Sequence, residues 1–490
     1  MLPILSSPTS LDAWSSPVEG YHRGLLAIGV RPAARRFSGV RAFSALESAS
    51  GTPAGPGLSA LHQLERAGLI RHVIPLGLPE SDEVPPAMAV LGMLGRLSRG
   101  VSVGVGEQAV VELEDPNAGV SLLELEEDAD VPRLLGMLAQ DPDIEYAARV
   151  PVRYLSQTTI AAVPPAGLMM WNLQKIKWAL ARQAPNFVEA EEVRVAVLDT
   201  GIDPDHPDLR GRVQQYRYQY QHPIVPVALL AEDIIGHGTH VAGTIAALSN
   251  NPIGIDGICA ARILAYKIFN DTDDLTSPER GYEYFVNPVA YRRALADCVR
   301  QRVEVVNLSI GGPKPPDPSE QKLFSDLLAQ DTVVVAAMGN DRQFGSPISY
   351  PAAIPGVIAV GATRPDDRIA DFSNGGNHIS LCAPGVGIWS TLPTYPGNLG
   401  HRAILDATGH YTRGPMKVRE KDYDSWPGTS MATPHVTGAV ALLLAKKGPL
   451  SPADVKSRLM ASVDQVAGMN GQAFHPDYGA GRLNLQRLLA

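Results

Sequence analysis

Three residues of this sequence are of the types that together perform nucleophilic catalysis, and each stands where a strand should end or a helix begin. Asp199 follows the apolar run Val-Ala-Val-Leu, His237 lies in Gly-His-Gly-Thr-His, and Ser430 lies in Gly-Thr-Ser-Met-Ala ahead of a long apolar stretch. A serine hydroxyl is a weak nucleophile at neutral pH, so it needs a base to accept its proton and an anion to orient that base. Ser430, His237 and Asp199 supply these three roles.

Each of these residues also has an ordinary structural interpretation. Asp199 alone could simply turn the chain, His237 could be incidental to a tightly packed helix, and Ser430 could be only an N-cap. His240 could join His237 in a metal site, but no HExxH spacing and no nearby third ligand accompany the pair. The chemical interpretation depends on the three segments occurring together.

The sequence from about residue 172 to the end alternates short apolar runs with helical stretches. The runs lack the polar alternation of a half-exposed sheet, which indicates strands buried on both faces. This rhythm predicts a three-layer, doubly wound α/β domain with a mostly parallel sheet, whose active site lies beyond the carboxyl ends of the strands. The predicted strands are 193–198, 263–268, 303–308, 332–337 and 357–360, and the clearest helices are 287–302 and 318–330.

A small α+β domain is predicted at residues 58–157. Asp130 and Pro132 have the types and spacing of a helix N-cap and first turn. Alternating apolar residues around this helix predict strands on either side of it. The predicted strands are 101–105, 109–114, 120–126 and 144–154.

The flanking segments differ in composition from both domains. Residues 1–57 are rich in Ser, Ala, Pro, Gly and Arg, so we expect a loosely ordered, low-complexity extension there. Residues 158–171 are mostly small or apolar and include Pro164-Pro165, and they are expected to form a linker.

Composition limits the class of protein. The 490 residues are 45% apolar and carry 42 Lys+Arg against 51 Asp+Glu, a balance that argues against a dedicated nucleic-acid binder. Cys259, Cys298 and Cys382 are far apart in sequence, so we expect free thiols. Without a secretion signal or an apolar run of about 18 residues, the sequence predicts no membrane segment and a cytoplasmic location by default.

Taken with their flanks, the three segments resemble the subtilisin family of serine peptidases, whose triad runs Asp, His, Ser in chain order. The resemblance covers about residues 172–490 and assigns Asp199, His237 and Ser430 to that triad. It also implies that Asn340 donates a hydrogen bond in the oxyanion hole and that Ser309, Ile310 and Gly311 pair with substrate. No cofactor is required for this chemistry, and the expected partner is a protein or peptide substrate.

The resemblance carries two finer implications. Met338 and Ser349 border the pocket for the substrate residue before the scissile bond, P1, and both are larger than the usual family residues, so small or medium apolar P1 residues are expected. Asp341 at the pocket rim should disfavour acidic ones. Asp208 and Asn251 match the family's ligand positions for a structural calcium ion, which prefers oxygen donors.

Two segments extend the resemblance beyond the core of the domain. The domain at 58–157 is similar to the family's inhibitory propeptide, which implies a self-inhibited zymogen whose own propeptide-like domain is a partner. The tail 153–157 is then expected in the substrate cleft, with cleavage within the segment Ser156–Gly167. Residues 393–427 form an insertion just before Ser430, interpreted as a substrate-contacting or regulatory loop, or else as a disordered surface insertion.

Several other functions fit parts of the sequence. Asp199-Thr-Gly is also the signature of aspartic peptidases, but these need two carboxylates and no second such motif occurs. A transpeptidase or macrocyclase on the same fold would keep the acyl-enzyme and exclude water. A pseudo-peptidase acting as a binding scaffold is disfavoured because all four expected catalytic positions are intact.

Overall fold

The structure is a computed structural model of the chain, with 19 residues at the N-terminus and several internal stretches outside the description that follows. The described residues are 20–31, 59–76, 116–126, 128–155, 170–218, 233–249, 254–277, 281–407 and 409–490.

The chain divides into two compact units. The smaller is Leu26–Ala148, and the larger comprises Arg149–Ala490 together with the N-terminal residues up to Leu25. The larger unit thus includes the segment that follows the small domain, Arg149–Leu155, as well as the predicted catalytic domain.

The described elements of the small domain follow the order βαββαβ, the split βαβ arrangement. Its sheet has the strand order β2-β3-β1-β4, so β1 is an interior strand. The helix α2 begins as the sequence predicts, because the Asp130 side chain accepts a hydrogen bond from Arg133 N. The elements are β1 (Tyr21–Val30), α1 (Ser59–Arg66), β2 (Ile70–Pro75), β3 (Val120–Leu125), α2 (Val131–Ala139) and β4 (Ile144–Pro151).

Strand β1 differs from the sequence-based expectation, which assigned residues 1–57 to a loosely ordered extension. Leu26, Ile28 and Val30 of β1 are buried in the core of the small domain. The strand is a short apolar run inside an Arg-rich stretch, and the average composition of that stretch obscures it. Of the predicted strands, 101–105 and 109–114 lie outside the described residues.

The larger unit contains the remaining strands and helices. They are β5 (Tyr154–Leu155), α3 (Trp171–Lys175), α4 (Trp178–Arg182), β6 (Arg194–Asp199), β7 (Val213–Tyr218), α5 (His237–Ala246), β8 (Arg262–Lys267), β9 (Asp274–Ser277), β10 (Gly281–Glu283), α6 (Pro288–Gln301), β11 (Val305–Leu308), β12 (Ile310–Gly311), α7 (Pro318–Ala329), β13 (Val333–Ala337), β14 (Ile358–Thr363), β15 (Leu381–Pro384), β16 (Ile388–Thr391), β17 (Asn398–Leu405), β18 (Tyr411–Val418), β19 (Tyr423–Trp426), α8 (Thr429–Lys447), α9 (Pro452–Ala461) and α10 (Leu485–Leu488).

A seven-stranded parallel sheet organises this unit, in the order β15-β14-β13-β11-β6-β8-β7. Alternate residues of β6 enter different cores: Val195 and Val197 pack on one face, and Ala196 and Leu198 on the other. The first core also contains α8 residues, whereas the second contains α6 and α7 residues. The doubly wound, three-layer fold predicted from the sequence is therefore confirmed.

Three of the surrounding helices begin with a side-chain cap followed by proline. Asn287, Asp317 and Ser451 each accept hydrogen bonds from backbone N–H groups in the first turn of α6, α7 and α9. The observed starts of α6 and α7 agree closely with the predicted helices 287–302 and 318–330. Within the described residues, no helix is both long and apolar enough to span a membrane.

Candidate active site

The three predicted catalytic residues occupy the ends of elements around the central sheet. Asp199 is the last residue of β6, His237 is the first residue of α5, and Ser430 is the second residue of α8. Gly238 allows α5 to begin against the loop that follows β6, since a Cβ atom there would lie 2.0 Å from Gly201 O. A larger residue would displace the histidine from the carboxylate.

Asp199 and His237 form a buried hydrogen-bonded pair. His237 Nδ1 lies 2.7 Å from Asp199 Oδ1, and both side chains are inaccessible to solvent. Thr200 N donates to the same oxygen at 2.8 Å, which fixes the carboxylate. Because the carboxylate accepts a hydrogen bond from Nδ1–H, the lone pair of the imidazole is on Nε2, which has no hydrogen-bond partner among the described residues.

Ser430 lies at the same end of the sheet but does not bond to the histidine. Its Oγ donates to the carbonyl oxygen of Ser309 at 2.9 Å, and Ser309 Oγ donates back to Ser430 O at 3.0 Å. The structure therefore brings Asp199 and His237 into contact and ties Ser430 to the segment that precedes β12. Nucleophile–base hydrogen bonds are often loose without substrate and tighten in its presence.

Asn340 presents an unpaired amide beside the serine. Its Oδ1 accepts from Thr429 N at 3.0 Å and from Thr429 Oγ1 at 2.9 Å, so the amide orientation is fixed. Its Nδ2 is buried and lacks a hydrogen-bond partner in the described part of the chain. A buried N–H donor without an acceptor costs free energy, and a negatively charged oxygen would accept its hydrogen bond.

A buried carboxylate that sequence reasoning missed, Asp233, joins the loops carrying Asp199 and His237. Asp233 Oδ1 accepts from Thr200 Oγ1 at 2.7 Å and from Gly236 N at 2.8 Å. Its Oδ2 accepts from Thr239 N at 2.9 Å and from Thr239 Oγ1 at 2.6 Å. An acidic residue shortly before a glycine-led helix is a recognisable signal for such capping.

His240 has a structural role. Its Nε2–H donates to Ile388 O at 2.9 Å, and its ring stacks on Trp426 at 5.1 Å between centroids. Burial and the neighbouring His237 lower the pKa of His240 to about 3, so the ring is neutral. A metal role for His240 has no support from this geometry.

The residues predicted to line the P1 pocket lie close to Asn340. Met338 is buried at the end of β13, and Ser349 is buried against Gly339. Gly339 has φ +94°, and a Cβ atom there would lie 2.6 Å from Asn374 Nδ2, so glycine is required.

The predicted substrate strand Ile310–Gly311 is already paired. Leu155 lies opposite Ile310 and Tyr154 opposite Gly311 in an antiparallel register. On its other side Tyr154 bridges Phe285, and Val286 N donates to Arg153 O at 3.0 Å. The segment 153–155 therefore lies as a strand between two chain segments of the larger unit.

The calcium prediction gains no support from the described residues. Asp208 Oδ2 accepts from Ile255 N and from Tyr423 OH, both at 3.0 Å, and Asn251 lies outside the described residues. No group of three or more His, Cys, Asp or Glu side chains in the described ranges could hold a metal. The calcium site stays a prediction from the sequence.

The insertion at 393–427 is a folded element, with β17 and β18 forming an antiparallel hairpin. Its two ends contact the loop before His237: Tyr395 OH accepts from Asp233 N at 2.8 Å, and Arg419 Nε donates to Ile234 O at 3.1 Å. The interpretation as a disordered surface insertion is wrong, because these contacts and the hairpin order it.

Comparisons with known proteins agree with this geometry. Residues 190–481 match the subtilase family. Subtilisin E of Bacillus subtilis (strain 168) is 32% identical over 357 residues, which cover 71% of this chain and 76% of that relative. Subtilisin Savinase of Lederbergia lenta is 35% identical over 323 residues, covering 64% of this chain and 98% of that relative.

A solved structure shows the same fold. The crystal structure of fervidolysin from Fervidobacterium pennivorans, a keratinolytic enzyme related to subtilisin, matches with a TM-score of 0.60 and 22% identity. The match covers 97% of this chain and 62% of fervidolysin. The subtilase match over residues 190–481 and the subtilisin relatives show that the chain belongs to the subtilase family and is a subtilisin-like serine endopeptidase.

Proposed function

We propose that this endopeptidase hydrolyses peptide bonds through an acyl-enzyme formed on Ser430. The observation that carries the proposal is the buried His237–Asp199 pair, whose Nε2 has a free lone pair at the end of the sheet where Ser430 lies. His237 Nε2 takes the proton of Ser430 Oγ as that oxygen attacks the scissile carbonyl carbon. Asp199 holds the Nδ1 proton and stabilises the imidazolium that results.

The negative charge on the attacked carbonyl oxygen needs donors that are already in place. Asn340 Nδ2 is buried and unpaired in the described structure, and Asn340 Oδ1 is held by Thr429, the residue before the nucleophile. We assign Asn340 Nδ2 and the backbone N–H of Ser430, at the N-terminus of α8, to this oxyanion. Such donors contribute most in the transition state, where the charge appears.

Asp233 acts as a positioning residue. It accepts hydrogen bonds from Thr200, which follows Asp199, and from Gly236, which precedes His237. Two of its four hydrogen bonds come from the backbone N–H groups of Gly236 and Thr239, and the other two come from the hydroxyls of Thr200 and Thr239. The distance between triad members thus depends on a side chain that never meets the substrate.

The small domain and its tail form a self-inhibiting element in this proposal. The segment 153–155 adds a strand to Ile310–Gly311 in the direction a substrate would take, which is a common mode of peptide binding. In this register, Ser309 faces the peptide residue that follows the one paired with Ile310. The carbonyl oxygen of Ser309 lies 2.9 Å from Ser430 Oγ. Ser156 lies outside the described residues, and the count predicts cleavage between Ser156 and Gln157.

Replacement of the nucleophile tests the assignment directly. Ser430→Ala should abolish both peptide hydrolysis and labelling by a fluorophosphonate probe. The expected loss in kcat is about 10⁶-fold, the size known for the same change in subtilisin. Near-normal hydrolysis by this variant, with its thermal midpoint unchanged, would refute the role of Ser430.

Removal of the Asn340 amide tests the oxyanion donor. Asn340→Leu should lower kcat by about 10²–10³ with little change in KM, a magnitude established for an oxyanion donor in subtilisin. The fluorophosphonate probe should still label Ser430 in this variant. A rise in KM at constant kcat would show that Asn340 binds ground-state substrate and does not serve the transition state.

Asp233→Asn should lower kcat by about 10- to 100-fold, because an amide N–H would face donors and shift the catalytic loops. KM should change little, since Asp233 does not face substrate. Asp205→Asn is the matched control, because the Asp205 side chain is exposed whereas that of Asp233 is buried. If Asp233→Asn keeps the parental kcat, the network is structural only.

The inhibitor proposal is tested with a fragment of residues 20–157, which includes β1 because that strand is interior to the sheet. Added to the processed enzyme, the fragment should inhibit peptide hydrolysis competitively. A Tyr154→Pro fragment is the control, because it loses a backbone N–H in the strand that pairs with Gly311. Equal inhibition by both fragments, or none by either, would contradict binding of the tail in the cleft.

A further inference from the structure

A buried ion pair anchors the tail to the larger unit at one position. Arg153 Nε donates to Glu320 Oε1 at 3.1 Å, and Arg153 Nη2 donates to Glu320 Oε2 at 2.9 Å. Both side chains are only 1% exposed. Arg153 Nη1 donates to Lys314 O at 3.0 Å, and Tyr291 OH donates to Glu320 Oε1 at 3.2 Å. The guanidinium is therefore held at both edges.

The strand register gives this pocket a position relative to the nucleophile. Leu155 lies opposite Ile310, and the neighbouring Ser309 contacts Ser430 through its carbonyl oxygen. A peptide in this register therefore places its residue opposite Ser309 next to the nucleophile, as P1. Arg153 stands three residues before that position, which makes its pocket the P4 pocket.

The backbone around the pocket is shaped for a closely bound peptide. A Cβ atom at Gly312 would lie 2.3 Å from Val152 O and 3.1 Å from Arg153 Nη1. Glycine at this position thus leaves room for both the peptide backbone and the guanidinium. The pocket accordingly belongs to the same groove as the strand pairing.

The charge of the pocket selects its occupant. Glu320 lies in the first turn of α7, where a carboxylate is favourable, and Tyr291 supplies a neutral hydroxyl donor. A buried carboxylate that loses its cationic partner is disfavoured, so an apolar side chain at this position would leave the Glu320 carboxylate covered, with the Tyr291 hydroxyl as a neutral donor and without the two guanidinium N–H donors. A lysine would supply charge without the two parallel donors that match the two carboxylate oxygens.

We infer that Glu320 makes this peptidase selective for arginine at P4, so that its substrates are proteins with Arg three residues before the P1 residue. The inference rests on the proposed function, because it takes the tail 153–155 as occupying the groove in the manner of a substrate. Arg153 is then the chain's own occupant of that pocket.

The test uses full-length enzyme after self-processing, with reactive serine first counted by fluorophosphonate titration. Four peptides that differ only in Arg, Lys, Leu or Glu at P4 are compared by kcat/KM. Truncating one partner of a buried charged pair costs at least about 2 kcal/mol, so Arg should exceed Leu by about 30-fold or more. Lys should fall between them, and Glu should be poorest.

Glu320→Gln should reduce the Arg-over-Leu ratio of kcat/KM to about threefold or less. Asp326→Asn is the matched control on the same helix, where Asp326 forms an ion pair with Lys322 that is more exposed than that of Glu320. This variant should keep the parental ratio. Equal ratios in Glu320→Gln and Asp326→Asn would overturn the inference.

Failure of this inference and failure of the proposed function give different results. A normal serine titre with equal kcat/KM for all four peptides overturns P4 selectivity and leaves the triad assignment intact, whereas the absence of a reactive serine refutes the triad. A thermal double-mutant cycle of Arg153→Leu and Glu320→Gln in the uncleaved Ser430→Ala chain needs no activity. The effects of the two changes on the free energy of unfolding should be non-additive, and additive effects would also overturn the inference.

Discussion

The hydrogen bond between His237 Nδ1 and Asp199 Oδ1, 2.7 Å long and shielded from water, is the constraint on which the rest of the larger unit depends. A carboxylate without water must receive donors from the protein, and Thr200 N supplies one. The pair must also be brought together from separate elements, the end of β6 and the start of α5. The parallel sheet does this, because its strands all end on one side and its helices return to the other.

The loops that carry Asp199 and His237 need further contacts to hold them in place. Asp233 connects the segment after Asp199 with the segment around His237 through four hydrogen bonds. The insertion adds a second layer, since Tyr395 OH accepts from the backbone of Asp233. The hairpin of β17 and β18 is therefore connected to the loop before His237 through Tyr395 and Arg419, which flank its two strands.

The sequence predicted the elements whose signals lie in consecutive residues and missed the contacts between residues that are far apart in the chain. Apolar runs identified the main parallel strands, and the helical stretches between them identified α6 and α7, because those signals are contained in a few consecutive residues. The bonds of Asp233 to the start of α5 follow a local capping signal, whereas its bond to Thr200 could not be inferred, because the two residues are 33 positions apart. Arg153 and Glu320 are 167 positions apart, and neither has a motif that announces the other. Strand β1 was missed because the composition of residues 1–57 was averaged over a stretch that is mostly polar or small.

Inhibition and specificity share one set of contacts in this proposal. The tail pairs with Ile310–Gly311 and places the Arg153 guanidinium against Glu320, as a good substrate would. Because these contacts do not depend on the bond that is cleaved, the tail stays bound after cleavage. A buried ion pair is screened little by salt, so its contribution to retention persists at ionic strengths that weaken surface pairs. The release of the tail then removes the two guanidinium donors from Glu320, and an arginine of the next peptide would replace both. The enzyme's own inhibitor therefore carries, at Arg153, the recognition residue of its substrates.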